Sequence, residues 1–345
     1  MLKEYRYKFQ VGNKKHNCPK CGNKTFVKYI DSRNGEYLPE RYGRCDREIN
    51  CAYHLNPYRD QYTNFSNLDW KGEFSSNKKN IKIYKIKTEP IFIPKEILKQ
   101  TLKTDAYQEN IFIQNLLNRV RFPFEKEYIE KVISLYSLGT VTNGYMKGAI
   151  TFPFIDKNEN IRAIQVKQFD NNNHTLRTDF LHSIIDKHYK KKNEDFPNWL
   201  KSYKLNDKIV SCLFGEHLLN KYSNNPIALV EAPKTAIYGA LYFGFPENPK
   251  NPLWLAVYNL SSLNYEKCKT LKCRKVYLFP DLSAKGQAFH LWSKKAKELS
   301  QMMIGTNFEV SNLLEKNATE NERLNGLDLA DFLINFDWRK FRTNL

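Results

Sequence analysis

The 345-residue chain has no run of about 18 apolar residues, so no membrane-spanning helix is expected. Its first ten residues, MLKEYRYKFQ, lack the apolar core of a signal peptide, and a cytoplasmic protein is expected. The C-terminal half has no phosphate-cradling glycine loop of the P-loop or dinucleotide kind, which argues against an NTPase or a dehydrogenase. Among the seven histidines no Ser/His/Asp order and no His-rich metal box stands out. Cysteine is sparse and odd in number, seven in all. In a long chain without a secretory signal, that count points to metal ligation and reduced thiols rather than to a disulfide framework.

What is present is positive charge and aromatic carbon. Lys and Arg number 55 against 37 Asp and Glu, a net +18, and such a surface attracts polyanions, nucleic acid above all. Part of the excess follows the chain's general richness in Lys, Asn, Ile and Tyr, as AT-rich coding would produce. Hydrophobic residues make up 41% and aromatics 14%, enough for a core, and the length suits two or three domains.

The sharpest local signal is four cysteines near the N-terminus. Cys18-Pro-Lys-Cys21-Gly has the spacing that lets two thiolates face one cation, and Gly22 frees the turn to take positive φ. Cys45 and Cys51 supply a second, wider pair, so the four read as a structural zinc site of thiolates. His16 and His54 stand close enough in sequence to replace a cysteine, but surface positions on the finger suit them better. Arg33, Arg41, Arg44 and Arg47 crowd the same module, and Arg44 and Arg47 are candidate nucleic-acid contacts. The module holds little aliphatic residue, so Phe9, Phe26, Tyr29, Tyr42 and Tyr53 are expected to supply its apolar contacts around the metal.

Four regions follow from pattern: a zinc ribbon over 1–60, a linker over 61–90, a helical and β-hairpin subdomain over 91–220, and a C-terminal α/β domain over 221–345. The linker contains the polar run Ser75 to Asn80. Residues 94–138 carry apolar residues near helical spacing, opening at Pro94 and stopping at Gly139. Residues 148–170 read as two strands around Lys157-Asn158-Glu159-Asn160, a hairpin. Residues 171–206 are polar, and Lys187 to Lys192 read as a flexible or a phosphate-contacting loop. From there, apolar runs at 227–232, 253–259, 275–281 and 308–314 alternate with helical segments, which predicts a parallel sheet flanked by helices. Cys268 and Cys273 lack further ligands and are expected as buried thiols.

In such sheets ligands bind beyond the carboxyl ends of the strands. Glu231 closes the first strand and Asp281 the third. Neighbouring strand ends can bring two carboxylates to one hard cation, Mg²⁺ or Mn²⁺. Lys234 falls in the first turn of the helix leaving Glu231, where it could bind a phosphate or nucleotide or simply sit at the surface.

VEAPKTAIYGAL, around Glu231, resembles the glutamate motif of Toprim domains, and LFPDLSAKGQ, around Asp281, resembles their Asp-x-Asp motif. With the cysteine finger in front, the order is similar to that of bacterial and phage primases. The whole chain resembles a family of zinc-ribbon and Toprim-like proteins of bacterial mobile elements, in which CPKCG, the GRC and NCAYHLNP stretches and the two acidic motifs recur in this order. The resemblance implies a Toprim-like sheet, acid–base work for Glu231 and Mg²⁺ ligation for Asp281. The second aspartate of the motif is replaced by Ser283, a neutral and weaker ligand. Asp328 and Asp331 resemble a late acidic motif of primases and could supply the missing carboxylate, although an N-cap role fits them locally. Lys147 and Lys167 flank the hairpin where primases hold template and nucleotide. The implied function is that of a primase-like protein binding nucleic acid, most naturally single-stranded DNA, alongside replication proteins, with structural Zn²⁺ and catalytic Mg²⁺ or Mn²⁺. The alternatives are a catalytically degenerate DNA-binding accessory and a Toprim nuclease of phage defence.

Overall fold

Four thiols and a handful of aromatic rings organise the first part of the chain. In the computed structural model, which describes residues 5–12, 14–47, 51–58, 90–206 and 210–342, the chain divides into two compact units, Met1–Lys87 and Thr88–Leu345. The first unit is a four-stranded antiparallel sheet of β1 (Tyr7–Phe9), β2 (Phe26–Asp31), β3 (Gly43–Cys45) and β4 (His54–Leu55), in that order. Its contacts are the expected aromatic ones. Phe26 is fully buried among Cys18, Cys45 and Cys51 with Tyr53 beside it, and Tyr7, Tyr29, Leu38 and Tyr42 pack together under Phe9 and Leu55. The expected linker run from Ser75 to Asn80 lies outside the described residues.

The second unit contains two sheets. An antiparallel one runs β5 (Gly139–Thr140), β6 (Ile150–Ile155), β7 (Ile161–Phe169), β8 (Thr175–Phe180). Strands β6 and β7 are the expected hairpin. The stretch before it is helical as expected, though broken into short pieces, the longest being Lys126–Tyr136. Pro94 precedes the first of them as its N-cap.

The polar stretch 171–206 is not a loop. It holds β8 and a helix, Leu181–Lys192, whose basic end is the Lys187–Lys192 run. Leu181, Ile184 and Ile185 pack into the core beside Ile164 and Val166, and Asn193 ends the helix in the left-handed conformation with φ +55°. Strand β8 escapes a periodicity reading because it is an edge strand with both faces largely exposed, so its side chains do not alternate between apolar and polar.

The other sheet is parallel throughout, in the order β10 (Leu253–Ala256), β9 (Ile227–Val230), β11 (Lys275–Phe279), β12 (Asn307–Val310). All four residues of β9 and of β10 are buried, as continuous apolar runs in parallel sheets are. The helix Pro233–Phe243 packs on β9 and β10, and the helix Gln287–Met302 packs on β12. The fit is close. A Cβ on Gly239 would lie 2.2 Å from the Trp254 ring, so only glycine lets the helix approach β10 this far. The apolar run 308–314 does not continue as strand, because Leu313–Asn317 turns into a short helix. Cys268 is buried, whereas Cys273 is exposed, contrary to expectation. Its φ of +62° places it in a turn held by the Thr306 hydroxyl, which accepts its backbone N–H. Among the described residues no helix is long and apolar enough to cross a membrane.

Candidate functional site: a thiol centre and a strand-end carboxylate cluster

The thiol centre forms where the Cys18–Cys21 turn meets β3 and the residue Cys51. Gly22 takes φ +71°, and its N–H donates to the Cys18 carbonyl at 2.8 Å, closing the turn that aims both sulfurs the same way. The four Sγ atoms lie within 4.8 Å of one another, with Cys18 and Cys51 at 3.5 Å and Cys21 and Cys45 at 3.9 Å. Four sulfurs at about 2.3 Å from a tetrahedral zinc ion stand roughly 3.8 Å apart, so the cluster has the right size for that ion. The Cys51 thiol needs the cation to be held as a thiolate. Burial pushes Cys51 up to about 12, while a hydrogen bond from the Asn23 backbone brings Cys21 down to about 6. The residues therefore form a structural zinc site, with all four sequence-derived ligands in it.

Neither histidine joins this centre. His16 Nε2 pairs with Gln10 Oε1 at 2.7 Å and its ring meets Tyr37 edge-on. His54 is exposed, stacks on Tyr29 and shares a 3.3 Å hydrogen bond with its hydroxyl. Arg44 is exposed on β3 with its guanidinium 5.4 Å from the Phe9 ring centroid, and Arg47 is half-buried beyond the same strand.

The second constellation lies at the carboxyl ends of the parallel strands. Val230 is in register with Phe279, so Glu231 leaves β9 beside the Pro280–Asp281 turn that leaves β11. Both residues keep part of their surface exposed, yet Glu231 Oε2 and Asp281 Oδ1 are buried with no hydrogen-bond partner. Burial pushes the Glu231 carboxyl up to about 7 against a Leu260 backbone N–H that favours the charged form, and Asp328 adds to the rise. Burial, followed by the neighbouring Glu231, raises Asp281 well above the carboxylate range. Two adjacent carboxylates with orphaned oxygens are a mutually destabilising pair, relieved by uptake of a proton or by a hard divalent cation. The donor set thus fits Mg²⁺ or Mn²⁺.

Beside the pair, Tyr258 takes φ +103° at the end of β10 and donates its N–H to the Glu231 carbonyl at 3.0 Å. A bulky residue at such φ is strained, and strain of this kind gathers at functional sites. No sequence pattern marks Tyr258, because its φ is imposed by the turn leaving β10.

Asp328 and Asp331 reach the same region from the C-terminal segment, and they are committed to protein partners. They form a capping box on the Leu329–Leu333 helix, each carboxylate accepting the other residue's N–H. Asp328 Oδ2 also accepts the Thr235 hydroxyl at 3.0 Å. Lys234 is buried, 3.0 Å from Asp328 Oδ2 and 2.8 Å from Asp331 Oδ1. Burial works against its charge, but the two aspartates hold its ammonium above the usual lysine range. The loop hydrogen bond from Leu282 N–H to the Leu327 carbonyl, 2.9 Å, fastens the Asp281 turn to the Asp328 turn.

Lys167, on β7, also belongs to the cluster. Burial, and then the charge of Lys234, lowers its pKa, while Asp328, Asp281 and Glu231 raise it. Lys147 is elsewhere engaged, exposed and paired with Glu109 at 3.1 Å. Ser283 is buried, and its hydroxyl accepts the Ala288 N–H of the following helix at 2.8 Å.

Residues 5–66 match a zinc beta-ribbon finger family, and residues 110–282 match the family described as Domain of unknown function (DUF6371). No curated protein matches the chain. Among solved structures, the chain is similar to the primase fragment of the bacteriophage T7 primase-helicase protein, at 13% identity and a TM-score of 0.32, covering 91% of this chain and 98% of that one. It is also similar to the zinc-binding and RNA polymerase domains of the Aquifex aeolicus primase, at 14% identity and a TM-score of 0.36, covering 97% of this chain and 79% of that one. A third similar structure is the DnaG primase catalytic domain bound to ssDNA, at 14% identity and a TM-score of 0.34, covering 70% and 84%. With half of its length, including β9 and the residues from Glu231 to Asp281, under one family model, the chain belongs to the DUF6371 family.

Proposed function

We propose that this chain is a nucleic-acid-binding, primase-like protein whose parallel sheet is a Toprim-type domain binding Mg²⁺ or Mn²⁺ for nucleotidyl transfer. The observation that carries this reading is the Glu231–Asp281 pair: two carboxylates at adjacent strand ends, each with a buried oxygen that no protein group satisfies. Leaving carboxyl oxygens buried and unpaired is costly, so the pair speaks for a ligand. A bound divalent cation supplies neutralisation and orientation of the nucleotide phosphates. Glu231, with its carboxyl near 7, is poised to hold or release a proton at neutral pH. Lys167 adds positive charge on the hairpin side, and Lys147 is a surface contact for template. The zinc finger, through Arg44 and Arg47, contacts single-stranded DNA. The division into a ribbon over 1–60, a linker over 61–90, a primase-core-like region over 91–220 and a Toprim-like domain over 221–345 belongs to the same reading, as does a role in replication or mobile-element maintenance.

A second reading is favoured by Ser283. Its hydroxyl is spent on a helix N–H, so the second Asp of the Toprim motif has no stand-in there, and the protein would bind DNA as a replication accessory without turnover. One experiment separates the two. The chain is incubated with a single-stranded DNA template, all four nucleoside triphosphates and Mg²⁺ or Mn²⁺, and labelled primers are resolved on a gel. Cation-dependent synthesis that falls at least about 100-fold in Glu231→Gln and Asp281→Asn supports the primase-like reading. DNA binding with no product gives the accessory, and cutting of DNA without nucleotides marks a nuclease.

A further inference from the structure

The four acidic groups at the strand ends are not equivalent. Every carboxylate oxygen of Asp328 and Asp331 has a protein donor: the Asp331 N–H and the Thr235 hydroxyl with Lys234 on Asp328, and Lys234 and the Asp328 N–H on Asp331. Glu231 and Asp281, by contrast, each leave a buried oxygen without one. The asymmetry is fixed by the backbone. Lys234 sits in the first turn of the Pro233–Phe243 helix, 8% exposed, and the capping box of the Leu329–Leu333 helix presents both aspartates to it at hydrogen-bond distance.

We propose that the Lys234 ammonium occupies the role of a second cation, acting as the permanent counter-charge of Asp328 and Asp331 and leaving Glu231 and Asp281 to bind a single divalent cation. The inference rests on the reading of Glu231 and Asp281 as cation ligands and adds its stoichiometry. Two further observations support it. When a cation binds and all four carboxyls ionise, Lys234 and Lys167 leave a charge of minus two, which one divalent cation neutralises and two would overshoot. An ammonium bonded to both Asp328 and Asp331 also repels any cation that approaches those oxygens. Lys234 is then a positioning residue. It holds the C-terminal acidic pair in place and restricts the metal to the side facing β9 and β11.

The test counts ions on the zinc-loaded full chain. Free Mn²⁺ is followed by electron paramagnetic resonance during titration at neutral pH. The expected result is one Mn²⁺ per chain in the wild type, still one in Asp331→Asn, at least tenfold weaker binding in Glu231→Gln, and a second Mn²⁺ gained in Lys234→Met, which keeps the side-chain volume and removes the charge. Two ions in the wild type, or an ion lost in Asp331→Asn, overturn the one-cation inference while leaving the cation reading of Glu231 and Asp281 intact. No Mn²⁺ binding by the wild type overturns that reading and the inference with it. If Lys234→Met does not fold, the wild-type and Asp331→Asn counts decide.

Discussion

In the finger, four sulfurs converge within 4.8 Å, and the surrounding core is a few rings. At the strand ends, four carboxylates share their space with Lys234 and Lys167, and behind them lies a sheet in which every residue of β9 and β10 is buried. The first centre is the reason its module folds. The second is carried by a scaffold that folds for other reasons, namely aliphatic burial in β9, β10 and β11 and helices packed against them. On the proposed function, metal would therefore have opposite meanings at the two places, a structural member at the first and a ligand at the second.

The largest expected effect breaks the finger alone. Stripping zinc with a chelator, or replacing Cys18 by Ser, removes a contribution on the order of 10 kcal/mol and unfolds the 5–58 region, while Thr88–Leu345 keeps its structure. Backbone amide exchange read by mass spectrometry checks this: deuterium uptake should rise in β1 to β4 and stay low in β9 to β11. Protection of β1 to β4 without zinc would remove the contrast.

At the strand ends the sign inverts. Asp281→Asn exchanges a buried, unpartnered carboxylate for a neutral group, so without added divalent cation the variant should be more stable than the wild type by about 1–3 kcal/mol. Urea unfolding monitored at the tryptophans of the larger unit measures it. A destabilised variant would mean that Asp281 has a stabilising partner after all.

The smallest effect is a pH dependence of the larger unit. Burial lowers His217 below 6.5, outweighing its hydrogen bond to the Leu135 carbonyl, and burial likewise lowers His182. A histidine depressed in the fold contributes stability that is present above its unfolded value of about 6.5 and lost as pH falls through its folded value. The wild type should therefore lose more thermal stability than His217→Gln as pH falls below about 6.5, while Glu231 and Asp281, whose carboxyls are raised by burial, work in the opposite sense in both proteins. An equal loss in both proteins would assign it to other groups.

What could be read from the sequence was what is encoded over short distances. Metal ligands announce themselves by spacing, and all four cysteines are where their spacing put them. Strands β9 and β10 are runs of buried residues, visible as such because a parallel sheet leaves no polar face to interrupt them, while β11 buries Val276 and Leu278 between more open positions. Glu231 and Asp281 were legible because each closes an apolar stretch of sequence. The edge strand β8 had no such signature. The helix after it did, in Leu181, Ile184 and Ile185 at helical spacing before a basic last turn, but the lysines masked it. The clamp on Lys234 could not be read at all, since its partners are 94 and 97 residues away and look locally like an ordinary helix cap. Only the fold shows that the cap and the counter-charge are the same two side chains.

The double duty of Asp328 and Asp331 also sets an order of assembly. Synthesis delivers β9, Lys234 and Asp281 well before these aspartates emerge. The Leu329–Leu333 helix is five residues long, too short to persist by itself, so it gains its cap and its tertiary anchor in one step. Until then Lys234 has neither aspartate to answer its charge and no reason to leave water. The strand-end cluster is accordingly complete only once residues 328–331 have docked on Lys234.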